Sequence, residues 1–482
     1  MHKKGTPTNY TPMLPASART GSLMSVYHRR HLKSDVCLGS LPARCNCSRS
    51  GQYVSITCFM AGLTTVPELE FGPRVIKTLN LEQNELRALK MGSFFGMKIE
   101  RLLLSNNSIS SLNFLAFWGL EYNLATLDLS YNLFTKVPSS PLRLLRHLRS
   151  LSLKANRITA LHDFDFGFLR NLEVLSLDRN PIAAIAQRTF HGTQLSLLIL
   201  NSIALSDGLR SFPAHDLKLL KGLSLTENGI STLPVGWFDR LKSLRYLNLD
   251  DNELHELPVD IVSSLGATLE TLELNGNRLR RIPKVALRAL PNLKTFELRY
   301  NRIRKVYPRS FNCSGKLQTL DLSHNLIDKV SIWAFDGLDT IQRIDLRHNE
   351  LTTLDDRTLY WTDPSGRQIF LAHNPWLCNC LLKWIKREHK RKTELSTMFV
   401  DGSDMLCARP HFLEDMSVTR VHLRDFTCDH DYYYYYVVSE SEADDEEDMN
   451  DDGDVDDEYE FDDEDYYDID KSYKGKDYYY DG

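Results

Sequence analysis

The sequence predicts an α/β repeat solenoid: stacked short turns, each laying one strand into a parallel sheet, sealed at both ends by cysteine-bonded caps and followed by an acidic tail. Three observations predict it. A motif of leucines and one asparagine recurs at steps of 23–25 residues through the middle of the chain. Eight of the nine cysteines fall into two groups of four that bracket this region. Residues 429–482 hold 24 acidic and 3 basic residues and almost no aliphatic ones.

The motif is L-x-x-L-x-L-x-x-N-x-L. It begins at Ile76 ("IKTLNLEQNEL"), Ile99, Leu124, Leu148, Leu172, Leu195, Leu220, Leu244 ("LRYLNLDDNEL"), Leu269, Leu293, Leu317 and Ile341. These twelve units occupy 76–365 and form a leucine-rich repeat array; a truncated unit, "IFLAHNPW", follows. In each L-x-L, leucines point inward and the residues between them face solvent, on the concave side of a curved parallel sheet. The Asn side chain serves backbone groups at the turn after the strand, which burial would otherwise leave without partners. Phe94, Phe190, Phe238, Phe311 and Phe335 come late in their units and are expected to fill the convex side. No unit closes its own core, so stability comes from neighbours and end caps. One unit departs: in "LSLLILNSIAL" the ladder position is Ile203, which implies either a turn rebuilt around Asn201 or a bend.

The caps are expected at 37–75 and 366–428, between an N-terminal segment (1–36) and the tail (429–482), both expected to be disordered. Cys37, Cys45, Cys47 and Cys58 form one group, Cys378, Cys380, Cys407 and Cys428 the other, each containing a tight C-x-C. Disulfides account for the even number and the bracketing, and point to an oxidising compartment. The second group, "NPWLCNCLLKWIKREHKRK…MLCARP…FTC", resembles the C-terminal cysteine-rich flank of extracellular leucine-rich repeat proteins such as Slit, the Nogo receptor, chondroadherin and platelet glycoprotein Ib alpha. The resemblance covers about residues 37–428. It implies pairs Cys37–Cys47, Cys45–Cys58, Cys378–Cys407 and Cys380–Cys428, and a secreted or cell-surface binding protein. The Cys37–Cys45 interval is longer than is usual in the family. The first 36 residues contain no apolar run of signal-peptide length, so the start is expected to be incomplete; no stretch is long and apolar enough for a membrane span.

No catalytic constellation is present, neither G-x-S-x-G, nor a phosphate loop, nor H-E-x-x-H. No cofactor or metal is expected. Strand positions Asp128, Glu273, Glu297, Asp321 and Asp345 form an acidic column read as a solvated binding face. His324, His348 and His373 each precede a ladder Asn and fall in register, either as ordinary occupants of that slot, as a pH-sensitive patch or as zinc ligands. Concave candidates for contact with a protein ligand are Leu103, Leu197, Ile199, Tyr246, Arg299, Tyr300, Arg343 and Arg347. Arg278, Arg280 and Arg281 align with Arg302, Arg304 and Lys305 one repeat later, and Lys329 extends them. With Lys383, Lys386, Arg387, Lys390, Arg391 and Lys392 of the terminal flank they form a candidate glycosaminoglycan site, a heparan sulfate-like polyanion being the fitting partner outside the cell and nucleic acid not. Asn312 and Asn106 are the candidate glycan carriers, with a further sequon at Asn46 between two cap cysteines. Cys313 is either a buried small hydrophobe or an intermolecular thiol.

Charge divides the chain. The tail carries −21 of the total −6, leaving +15 for residues 1–428. It also holds 12 of the 21 tyrosines, nearly all beside acids. This resembles the sulfated segments of platelet glycoprotein Ib alpha and fibromodulin, which implies sulfation at Tyr432, Tyr433, Tyr434, Tyr435, Tyr436, Tyr459, Tyr466 and Tyr467 and a basic partner; a purely solubilising tail is the plainer reading. The run from Asp448 to Asp456 nearly matches a calcium-loop spacing but has Tyr459 where the loop needs Glu. The expected function is a non-enzymatic adhesion, matrix or receptor–ligand protein. The alternative is a structural matrix component that organises collagen or binds calcium through its tail.

Overall fold

The computed structural model describes residues 42, 44–69, 75–204, 212–311, 314–359, 366–391 (of Arg391 the backbone only) and 398–428. Cys37, Asn312, Cys313, Lys392 and the whole tail, with its tyrosines and calcium-like run, lie outside them. Two compact units are present, one reaching to Asn228 and including 240–244, the other made of 229–239 and the chain from Arg245.

The first unit opens with an antiparallel hairpin, Asn46–Ser50 against Tyr53–Thr57, whose second strand pairs parallel with Val75–Asn80. Lys98–Leu103, Thr126–Asp128, Ser150–Ser152, Val174–Ser176, Leu197–Ile199 and Gly222–Ser224 follow in parallel order. The second unit repeats the scheme with Tyr246–Asn248, Thr271–Glu273, Thr295–Glu297, Thr319–Asp321, Arg343–Asp345 and Gln368–Phe370. Most strands of three residues read half-buried, buried, half-buried, as the L-x-L pattern dictates, while Gly222–Ser224, Tyr246–Asn248 and Arg343–Asp345 bury more.

Among the described residues each leucine of the motif is buried, as is every ladder Asn from Asn84 to Asn374 except Asn228, which is part-buried. Asn301 shows the device: its Nδ2 donates to Leu274 O (2.8 Å) and Leu298 O (3.1 Å), while its Oδ1 accepts from Leu279 N (3.0 Å). One side chain thus satisfies carbonyls of its own and the preceding turn. The expected phenylalanines are fully buried, and Phe117 and Phe166 join them. Phe94–Phe117, Phe166–Phe190 and Phe311–Phe335 stack at 6.0–6.2 Å.

At Ile203 the turn is rebuilt, and Asn201 does part of the work. Its Oδ1 accepts from Thr226 N (2.9 Å) and Ser224 Oγ (2.7 Å). Ile203 fills the vacant slot, 5% exposed. The amide a ladder Asn would have received, that of Ile182, turns to Asn180 O (2.8 Å) instead.

Both ends are covered. Cys45 is bonded to Cys58, Cys378 to Cys407 and Cys380 to Cys428; Cys47 is also disulfide-bonded. The last strand of the second unit is protected at its edge by 399–401. Ile369 and Phe399 form a bridge, Val400 N donates to Ile369 O (3.3 Å), and the Asp401 carboxylate accepts from Leu371 N (3.0 Å) and Ala372 N (2.9 Å). Unpaired strand groups are a template for adventitious pairing, and this segment removes it. Among the described residues no helix is long and apolar enough to cross a membrane.

Candidate ligand-binding face of the parallel sheet

In the first unit the exposed sheet face is mixed. Leu103 and Ile199 share one lateral column with Asp128, Ser152 and Ser176, and Leu197 lies in the neighbouring one; all three apolar side chains are half-buried. Asp128 turns back on its own strand end, accepting from Ser130 N (2.9 Å) and Oγ (2.6 Å).

The second unit concentrates the chemistry. Register places Asn248, Glu273, Glu297, Asp321, Asp345 and Phe370 side by side, one per strand. The next column runs Tyr246, Thr271, Thr295, Thr319, Arg343, Gln368. The acidic column was expected to be a solvated face; the structure corrects this. Tyr246 Oη donates to Glu273 (2.7 Å), Asn248 Nδ2 donates to the same carboxylate, Asn275 Nδ2 donates to Glu297 (2.9 Å), and Asn275 N donates to Asp250 (2.7 Å). Burial, with Asp250 and Glu297 nearby, raises Glu273 to about 7 against the Tyr246 hydrogen bond. Burial raises Asp250 to about 6, and it also raises Asp321. Burial and the Glu273 charge push the Tyr246 phenol up, so it stays a neutral donor.

Asp345 behaves oppositely. Its side chain is wholly buried, yet Arg347 (Nε at 2.9 Å) and Arg343 (Nη2 at 2.9 Å) clasp it. Burial raises the carboxyl, but the Arg347 hydrogen bonds and charge, then Arg343, outweigh it and hold it below the usual range. Both guanidiniums also lie over the Phe370 ring, at 3.9 and 4.9 Å. Arg343 and Arg347, expected to reach for a ligand, are therefore committed to Asp345 and Phe370. Arg299 is drawn similarly toward Asp321 (3.6 Å) and Tyr300 (5.4 Å).

Beyond the strand ends runs a left-handed row: Asp251, Gly276, Tyr300, His324, His348 and His373 have φ of 52°, 65°, 55°, 55°, 55° and 59°. Asp and His tolerate this region better than most side chains, a physical reason for His at the slot. Tyr300, His324, His348 and His373 stack at successive centroid distances of 4.3, 4.1 and 4.3 Å. Near-parallel rings one above the other cannot aim their nitrogens at one ion, and among the described residues no His, Cys, Asp or Glu group is arranged to hold a metal. Burial, then the His348 and Arg299 charges, lower His324 to about 4; burial and the His373 charge lower His348. His324 and His348 are thus held neutral at physiological pH, and with Tyr300 and His373 they form an aromatic ledge.

Of the candidate polyanion-binding cations, Arg280, Arg281, Arg302 and Arg304 are exposed. Arg278 is paired with Glu253 (2.8 Å). Lys305 and Lys329 lie in register in a separate two-stranded ladder. On the helix Lys383–Arg391, Leu382 at its root and Ile385 are buried and Trp384 Nε1 donates to Leu354 O (2.8 Å), so the apolar side packs as expected. Lys386 is turned inward, donating to Thr419 O, whereas Arg387 and Lys390 are exposed. Asn106 and Asn46 are both exposed. Phe370, Asp250 and Asn275 were missed from sequence: Phe370 sits in the truncated unit, and the other two sit just past the strand, where the motif is silent.

Glu273→Gln tests this electrostatic reading. A carboxyl raised to about 7 binds its proton more tightly folded than unfolded, so its cost appears as pH rises through about 4.5–7 and is complete above 7. The variant is expected to gain on the order of 1–2 kcal/mol at pH 8 and little at pH 4. Denaturant titrations across that range check it; parallel profiles for the two proteins would show that Glu273 is an ordinary surface acid.

Stacked L-x-L strands, an Asn ladder and disulfide-bonded ends define a leucine-rich repeat solenoid with one open sheet face. The leucine rich repeat family model matches residues 74–134, 122–182, 146–205, 194–254, 267–327 and 315–375, well over half of the chain. The protein belongs to the leucine-rich repeat family, and disulfides lie at both flanks of its repeats. It is 29% identical to osteomodulin of Rattus norvegicus over 212 residues, covering 43% of this chain and 48% of that protein. With leucine-rich repeat-containing protein 3B of Danio rerio it shares 35% identity over 100 residues, 20% of this chain and 38% of that one. With keratocan of Mus musculus it shares 36% over 83 residues, 17% and 22%. The chain thus spans less than half the length of these curated relatives. Among solved structures, the glycosylated Toll–Spatzle complex of Drosophila superposes with TM-score 0.50 at 22% identity, over 76% of this chain and 54% of that one, a likeness of fold.

Proposed function

We propose that this is a secreted or pericellular, non-catalytic binding protein that docks a protein ligand on the sheet face of its second unit and a sulfated glycosaminoglycan on the cations outside that face. The observation that carries the reading is the pre-set polar lattice of the face: Tyr246 on Glu273, Asn275 on Glu297, and Arg343 with Arg347 on Asp345. Side chains already held by neighbours lose little freedom when a partner arrives, which is where binding energy is otherwise spent. Tyr246, Tyr300 and the imidazole ledge offer the aromatic area that anchors interfaces. The repeat-spaced exposed arginines Arg280, Arg302 and Arg304 supply the polyanion surface.

Purified protein applied to cell-deposited matrix tests both parts. Heparinase treatment is expected to remove one fraction of binding, and Arg280→Glu/Arg302→Glu/Arg304→Glu to remove the same fraction and shift heparin elution to lower salt. Tyr246→Ala/Tyr300→Ala is expected to abolish the heparinase-resistant remainder. Wild-type elution from heparin at or below ordinary ionic strength would end the glycosaminoglycan reading; an undiminished remainder in the tyrosine variant would end the sheet-face one.

A further inference from the structure

The disulfide Cys380–Cys428 sets the acidic tail at the root of the basic helix. The two Cα atoms are 5.4 Å apart, and Cys380 opens the 3-10 turn Cys380–Leu382 that runs straight into the helix Lys383–Arg391. Residue 429, the first acid of the tail, follows immediately. On the helix, Lys383, Arg387 and Lys390 are spaced i, i+4, i+7 and share one stripe. Lys386 is excluded from that stripe, since its ammonium is engaged by Thr419 O. The helix carries one acid, Glu388, and it lies off the stripe. The stripe belongs to a body of +15 and the tail carries −21.

From this juxtaposition we propose that residues 429–482 bind the Lys383–Arg387–Lys390 stripe of their own chain and compete there with external polyanion. The tether does not limit this: 54 residues at up to about 3.5 Å each reach far beyond a nine-residue helix of about 1.5 Å per residue. Attachment at one end also replaces a bimolecular encounter with an intramolecular one, at an effective concentration in roughly the millimolar range. An external glycosaminoglycan must displace the tail, so the polyanion surface works only where such chains are dense or where the tail is engaged by a basic partner. Sulfation of tail tyrosines adds anionic charge and tightens the closed form. The competition rests on the glycosaminoglycan reading above; the tail contact itself does not.

Zero-length carbodiimide cross-linking of the full chain, read by mass spectrometry, tests the contact without any glycan. The expected result is intramolecular links from tail carboxylates to Lys383 and Lys390 at 0.15 M salt, lost at 1 M and reduced several-fold by Arg387→Glu, which leaves both lysines in place. In parallel, a heparin dodecasaccharide is titrated into the full chain and a chain ending at Cys428. The shortened protein is expected to bind on the order of ten-fold tighter, and the difference to vanish in high salt. Links confined to lysines elsewhere, links that scale with protein concentration, or none at all overturn the proposal. Links as expected with no heparin binding by either form would uphold the tail contact and remove the glycosaminoglycan reading instead.

Discussion

Replacing Asn325 with alanine is expected to destabilise the second unit by about 3–4 kcal/mol, more than most core truncations of similar size. Asn325 is 5% exposed. Its Nδ2 donates to Leu298 O (2.8 Å), Leu322 O (3.0 Å) and Ser323 O (3.3 Å), and its Oδ1 accepts from Ile303 N (3.1 Å). Leu298 O keeps a second donor, Asn301, and Leu322 O keeps Asn349, so the carbonyls are weakened rather than orphaned. The Ile303 amide keeps nothing, and an unsatisfied buried donor costs about 1–3 kcal/mol by itself. The cavity and the freed turn supply the rest. Asn325→Asp separates the contributions, because it keeps the acceptor for Ile303 N and loses the donors to the carbonyls. Hydrogen exchange at Ile303 should quicken in the alanine variant and hold in the aspartate one, with global stability read from denaturant unfolding. Wild-type protection of that amide in Asn325→Ala would mean the ladder is decoration.

The protein itself contains a version of this experiment. At Ile203 the ladder Asn is absent, and the turn survives because Asn180 O captures the Ile182 amide and Asn201 moves to serve Ser224 and Thr226. The amide is relocated rather than abandoned. Around Asn325 the corresponding turn is Asn301–Arg302–Ile303, where Arg302 N is held by Leu279 O in place of Pro181, and Ser323 stands at the Asn201 position, so the turn is not rebuilt for that relocation.

Periodicity made the fold legible because its physical cause is local. A leucine every two or three residues and an Asn at a constant offset demand the same strand, turn and buried ladder wherever they recur. Cap cysteines were legible for a similar reason: Cys378 with Cys407 and Cys380 with Cys428 pair as the resemblance implied. The site was legible only as position. Glu273, Asp321 and Arg343 lie on half-buried outer positions of their strands and Arg347 two residues past its strand, and their chemistry depends on neighbours that the motif does not name. Arg343 and Arg347 are taken by Asp345, two residues away in sequence, and by Phe370, which the register brings from the next turn. Lys386 illustrates the same limit on a helix, where one carbonyl, Thr419 O, removes it from the basic stripe.

Breaking the C-terminal disulfides is expected to produce a loss of comparable size. The two loops close over 29 and 48 residues, which loop-closure entropy values at about 3.5–4 kcal/mol each. Entropy is only the first cost, because the cap protects specific groups. Once it loosens, the Leu371 and Ala372 amides lose the Asp401 carboxylate, Ile369 loses Phe399 and Val400, and Trp376, fully buried and donating to Leu371 O (3.2 Å), loses its cover. A strand edge with apolar neighbours is then open to a second molecule. Cys378→Ser/Cys407→Ser and Cys380→Ser/Cys428→Ser are therefore expected to lower the melting temperature by several degrees each and to aggregate before unfolding globally, with proteolysis starting within 366–428. The variants separate two roles of the second bridge: both should expose the sheet edge, but only the loss of Cys380–Cys428 also frees the root of the acidic tail, so only that variant should weaken the links to Lys383 and Lys390, through a lower effective concentration. Light scattering, limited proteolysis and melting with and without reductant read these effects. A melting temperature unmoved by full reduction would mean that packing alone holds the cap.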